Sequence, residues 1–219
     1  MHHIIFLTFY CLFLYKLYPK ICGLLDIHTP LFAVSDRQNY IVKNVIKAIS
    51  LCMLVILSFF FLLEWDNNNI RIFASIYVAN DLMGIVMCKH LPTSTRIHHM
   101  TTILFLIGAF MVDFQESHVA QMLFYFTYAS AISFPVNLYL GLRLCYEKEY
   151  QPVWLDQLRS ISKYLYASVC VVSWSYQIFL FRWAYEDFLY GLMICFIIID
   201  DIILMKWYKE NIFFVLLTK

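Results

Sequence analysis

Between His118 and Arg143 lie 24 consecutive residues without a formal charge. A helix of that length rises about 36 Å, more than the ~30 Å hydrocarbon thickness of a bilayer. Six shorter apolar stretches accompany it: Met1–Tyr15, Ala48–Leu63, Ile72–Cys88, Ile97–Val112, Tyr164–Phe181 and Phe188–Met205. A soluble fold must cover itself with polar surface and has no means of hiding so much apolar chain in one core. Of 219 residues, 62% are hydrophobic and 14% charged, against roughly 45–50% and about 25% in soluble domains. The expected fold is therefore all-α: a polytopic membrane protein with seven transmembrane helices, the longest spanning Val119–Leu142. A net charge of +1 implies no polyanionic partner, so nucleic acid is excluded. The seven cysteines are odd in number and form no CxxC. They read as reduced, small apolar side chains rather than bridges or metal ligands.

Charge orients the spans. With seven crossings, fourteen of the sixteen Lys and Arg fall on one side, leaving Arg71 and Arg182 on the other. The positive-inside rule then places the C-terminus in the cytosol and the N-terminus outside. The first run, which has no basic residue ahead of it, reads as an uncleaved span rather than a signal peptide. Ser35-Asp36-Arg37-Gln38 has the capping-box pattern of a helix start. Lys43 and Lys47, one turn apart, are expected to snorkel to the headgroups. After Pro152, apolar Val153, Trp154, Leu155 and Leu158 alternate with polar Asp156, Gln157 and Arg159. That pattern predicts a short surface helix ahead of the sixth span.

Ionisable groups inside a bilayer are expensive and usually face a bundle interior. Here they are Asp81, His98, His99, Asp200 and Asp201, with Asn80 and Asn137 alongside. Counted from the nearest cytosolic basic residue, Asp81 lies roughly 12 Å deep, Asn137 and Asp200 about 9 Å, and the histidines about 3–5 Å. Four helices thus place polar groups in one half of the membrane, which predicts a shared pocket opening to the cytosol. Adjacent helical residues point about 100° apart, so His98 and His99 are not expected to chelate one metal. Thr102, four residues after His98, is placed to orient its ring. Histidine suits proton transfer near neutral pH.

The segment Ile76-Tyr77-Val78-Ala79-Asn80-Asp81-Leu82, followed by Arg96-Ile97-His98-His99-Met100-Thr101-Thr102, resembles the TLC-domain family. An aspartate-bearing span there precedes a His-His pair, and the ceramide synthases of that family carry HHxxT. Ile132-Ser133-Phe134-Pro135-Val136-Asn137-Leu138 is similar to a stretch of the smaller TLC proteins, with Pro and Phe exchanged. The resemblance implies an N-terminal span and loop over 1–33, a six-helix TLC bundle over 34–211 and a tail over 212–219. It implies a lipid-sized cavity, with His98 and His99 in the catalytic positions. Asp81, Thr102, Asn137, Asp200 and Asp201 would line the pocket. Where ceramide synthases add further His and Asp residues, ungapped register finds Tyr125, Phe126 and Ala129.

That departure makes the chain more similar to the smaller TLC proteins, which are linked to membrane-lipid composition. The expected function is binding or handling of a membrane lipid, without cofactor or metal, in the endoplasmic reticulum or another endomembrane. The alternative is N-acylation of a sphingoid base, with acyl-CoA as co-substrate. A seven-helix receptor is disfavoured, since no DRY-like triplet follows the third span and no NPxxY ends the seventh. No internal repeat favours a transporter.

Overall fold

In the computed structural model the described residues are 2–29, 32, 37–61, 66–89, 91–147 and 150–217. Every regular element among them is helical: α1 (His2–His28), α2 (Gln38–Phe61), α3 (Asn67–Met87), α4 (Thr93–Ala109), α5 (His118–Ile132), α6 (Phe134–Leu142), a 3-10 turn (Arg143–Cys145), α7 (Val153–Leu180) and α8 (Tyr185–Leu217). Among the described residues, four helices are long and apolar enough to cross a membrane: α1, α2, α3 and α8. Taking α5 and α6 as one bent span makes five. At 17 residues α4 falls short of that group, and α7 is diluted along its length by Ser, Tyr and Gln.

Three sequence expectations change here. The uncharged run Val119–Leu142 is not one straight helix but two, bent by 44° at Ser133. Pro135 sits in the first turn of α6, where it offers no N–H to continue the ladder from α5. The surface helix after Pro152 is no separate element, because α7 runs unbroken to Leu180. Residues 212–217 continue α8 rather than forming a tail. The capping residues Ser35 and Asp36 lie outside the described residues; the helix they were to cap begins at Gln38.

The bundle buries polar side chains beside its apolar clusters and leaves large apolar side chains on the outside. On α2, Ile49, Met53 and Ile56 are about half exposed, while Lys43, Asn44, Lys47 and Ser50 are buried. On α7, Val171 and Val172 face outward, while Ser162, Ser173 and Gln177 face in. Such an arrangement is unfavourable in water and favourable in lipid. α2 and α3 occupy the centre, and α1 leans on them through Leu14 and Tyr18. α6 approaches α2 very closely at Gly141, where a Cβ would stand 3.0 Å from the carbonyl oxygen of Ile41. Any larger residue there would push the two helices apart.

One end of the bundle is closed by an apolar plug. Leu54, Phe73, Leu106, Phe114 and Phe124 pack there as a single cluster. The loops above it are tied down by polar groups. Arg71 donates to the carbonyls of Ala109 and Val112 at 3.2 and 2.8 Å, satisfying the open end of α4. Asn67 Nδ2 and the backbone N–H of Gln115 donate to Asp113, and these donors hold its carboxyl below the usual carboxylate range. Trp183 turns the chain into α8 with φ of 63°, a conformation few non-glycine residues adopt. The carboxylate of Asp187 accepts from the N–H groups of Arg182 and Ala184 in the same turn. At the opposite end the helix termini surround a cavity.

Candidate functional site

The polar residues of α2 recur at Tyr40, Lys43, Asn44 and Lys47, a stripe at helical spacing that lies on one face. That face, together with the start of α4, the end of α5, one side of α6, the middle of α7 and the second half of α8, lines a cavity of about 310 Å³. His98, His99, Asn137, Asp200 and Asp201 all line it. Aromatic side chains, among them Tyr77, Phe126, Tyr166, Trp174 and Trp207, supply much of the remaining wall. A smaller apolar cleft of about 40 Å³ adjoins it and shares Tyr77, His98 and Phe126.

Asp81 stands behind this wall. It is fully buried, and three groups converge on its carboxylate. Lys47 forms an ion pair with Oδ1. His99 Nδ1 lies 3.0 Å from the same oxygen. The hydroxyl of Thr102 donates to Oδ2 at 3.0 Å. A buried carboxylate persists only when its charge and lone pairs are met in this way. Lys47 also lies 5.4 Å from the centre of the Tyr77 ring.

The second histidine has its own acid. His98 Nδ1 is 3.3 Å from Asp200 Oδ2, while Thr95 donates to Oδ1 of the same residue at 3.3 Å. Both histidine contacts lie off the line of a well-formed hydrogen bond, and His99 Nε2 has no hydrogen-bond partner among the described residues. The rings stand edge to face, with centroids 5.6 Å apart. Asp201, next on α8, accepts from the hydroxyl of Tyr166 at 2.7 Å. α8 continues well past both aspartates, so they sit within the helix rather than at its end.

Several residues differ from their sequence reading. Lys43 and Lys47 do not snorkel: they are 4% and 5% exposed and point into the bundle. Thr102 does not orient His98, because its hydroxyl serves Asp81 and the carbonyl of His99. The histidines do not diverge too far to share a ligand, since one donor atom each from Asp81, His98 and His99 lies within 4.8 Å of the others. Two imidazoles and a carboxylate are a donor set that zinc accepts. The surroundings oppose a cation, however. Lys47 already neutralises Asp81, and the stem of Lys43 passes beside Gly84 near His99.

The positions Tyr125, Phe126 and Ala129 supply no acid, and Tyr125 faces outward while Phe126 lines the cavity. The acids that meet the histidines come from α3 and α8 instead. Sequence reading missed Lys47 as the partner of Asp81, along with Lys43, Thr95 and Tyr166. The polar stripe on α2 was the available signal for the two lysines.

Set against protein families, curated proteins and solved structures, the chain matches none.

Proposed function

We propose that this chain is a seven-span membrane protein of TLC-domain type that holds the polar end of a membrane lipid in the cavity between α2, α4, α6, α7 and α8. The observation that carries this reading is a cavity of about 310 Å³ lined by charged and aromatic groups, inside a bundle whose outward faces are apolar. α4 and α7 are the two further spans. At about 1.5 Å per residue, the 17 residues of α4 rise ~26 Å, close to a hydrocarbon thickness. Removing the buried Lys43 and Lys47 from the charge count leaves twelve basic residues against two. The N-terminus-outside orientation still follows, with the cavity opening toward the cytosol. An endoplasmic-reticulum or other endomembrane location accompanies the TLC-like motifs.

A second reading, acyl transfer to a sphingoid amine, is favoured by the two His–Asp pairs. In it His99, with Asp81 3.0 Å from its Nδ1, takes a proton on Nε2 from the attacking nitrogen. The C–N bond forms as the thioester C–S bond breaks, and the proton held on Nε2 passes to the departing sulfur, so that coenzyme A leaves as the thiol. Binding remains the preferred reading because Lys47 shares Oδ1 of Asp81 with His99. Much of that carboxylate's charge is then spent on the ammonium rather than on the imidazole.

Lipid mass spectrometry of the purified protein, paired with an assay on acyl-CoA and sphingoid base, separates the two. Expected is about one retained lipid per chain and no turnover. His98→Ala and His99→Ala should each change retention by about two- to tenfold, the equivalent of a lost neutral hydrogen bond. Turnover that falls 10²–10⁴-fold in either variant, as loss of a general base requires, would establish the acyltransferase instead. Protein that retains no lipid and turns nothing over would refute both.

A further inference from the structure

Lys43 takes no part in the pairs described above. It is 4% exposed, one helical turn from Lys47, and lines the cavity. Gly84 makes room for it: a Cβ there would stand 3.0 Å from Lys43 Cε and 3.6 Å from His99 Nε2. The carboxylate nearest in the cluster, Asp81, is taken by Lys47, His99 and Thr102. Asp200 is held by His98 and Thr95, and Asp201 by Tyr166. Asp81 and Asp200 lie close enough to act on the charge of Lys43, but among the described residues neither forms an ion pair or hydrogen bond with its ammonium. An ammonium that opens only into such a cavity, without an ion-pair partner, is poorly solvated and favours an anion beside it.

A second cation lines the same cavity. The guanidinium of Arg143 lies 4.3 Å from the centre of the Trp207 ring, which fixes its plane. Its Nε reaches only the carbonyl of Leu140, at 3.4 Å. Among the described residues it too has no carboxylate partner. α6 packs on α2 at Gly141, against Ile41 and Asn44, so Arg143 follows directly on a segment in contact with the Lys43 turn. The cavity therefore presents two cations that have no ion-pair partner of their own among the described residues.

We infer that Lys43 and Arg143 bind the phosphate diester of a glycerophospholipid, with Lys43 as the principal counter-ion. The inference rests on the lipid-binding reading and names its ligand class. A phosphate offers several anionic oxygens to an ammonium and a guanidinium at once. The lipid rather than a free phosphate is indicated by the wall beyond these cations, where Tyr77, Phe126, Trp174 and Leu204 offer contacts that inorganic phosphate would not use.

The test uses the full chain in detergent, equilibrated with equal amounts of phosphatidylcholine and of diacylglycerol with the same acyl chains. Bound lipid is then counted by mass spectrometry. Wild-type protein should retain phosphatidylcholine in preference to diacylglycerol. Lys43→Met should lower phosphatidylcholine retention about tenfold or more, as expected for a lost charge-assisted contact, while diacylglycerol retention is unchanged. Lys43→Arg should keep the preference. Should Lys43→Met fail to fold, Lys43→Gln and Arg143→Gln provide the same comparison.

A preference that survives these neutral substitutions would overturn the inference while leaving lipid binding intact. Equal retention of both lipids by wild-type protein would do the same. Displacement of phosphatidylcholine by millimolar inorganic phosphate would overturn the lipid source and retain only an anion site. Absence of any retained lipid would remove the broader reading as well.

Discussion

Asp81→Ala is expected to cost about 3–5 kcal/mol of stability, the usual result of removing one partner from a buried ion pair. The substitution strands the ammonium of Lys47 inside the bundle and takes the acceptor from Thr102 and the contact from His99. Unfolding in mixed detergent, compared between wild type and variant, measures the effect. The double variant Asp81→Ala with Lys47→Met should recover most of the loss, because it buries neither charge. An Asp81→Ala protein within about 1 kcal/mol of wild type would contradict the pairing, since surface pairs are the ones worth so little.

The other large effect is expected on the opposite face. Val172 lies in the middle of the second half of α7 and is 67% exposed. On a soluble protein an aspartate at such a position would be close to neutral. In a lipid-facing position near the middle of a span it costs about 2.5–3.5 kcal/mol on insertion scales. Val172→Asp should therefore insert poorly and lose membrane-fraction yield, while Val172→Leu behaves as wild type. Because α7 is one of the helices that length and composition alone leave undecided, a neutral Val172→Asp would remove it from the spans.

Helical content and the location of the polar groups were legible because both follow from local rules. Uncharged runs of bilayer length have few folds open to them. An aspartate within such a run must find an interior partner, which is why Asp81 could be assigned to the inside from sequence. Its partner was harder to see. Lys43 and Lys47 sit near the start of a span, where a long stem ordinarily carries its charge out to the headgroups. Only the three-dimensional placement of α3 beside α2 brings Asp81 within reach and reverses that preference. The same holds for His98 and Asp200, which lie on helices far apart in the chain.

The bend at Ser133 was written in the sequence as Pro135, yet an uninterrupted absence of charge masked it. A run of apolar residues reports on the solvent around a segment and says nothing of its straightness. The pattern after Pro152 does not sort by burial: Leu155 is buried, but Val153 and Trp154 are exposed. These residues form the first turns of a longer helix, α7, whose polar start and apolar remainder read in the sequence as two elements.

The central claim is that the polar face of this bundle encloses water-accessible space while the apolar face meets lipid. Reactivity of single cysteines, placed in a Cys-free background and probed in vesicles with a small charged thiol reagent, tests it most directly. Asn137 lines the cavity, whereas Ile199, next to Asp200 on α8, is 51% exposed on the outer surface. Asn137→Cys should react and Ile199→Cys should not, despite the greater exposure of the second position. Rapid labelling at Ile199→Cys with protection at Asn137→Cys would mean that water lies outside the bundle, and would contradict the account.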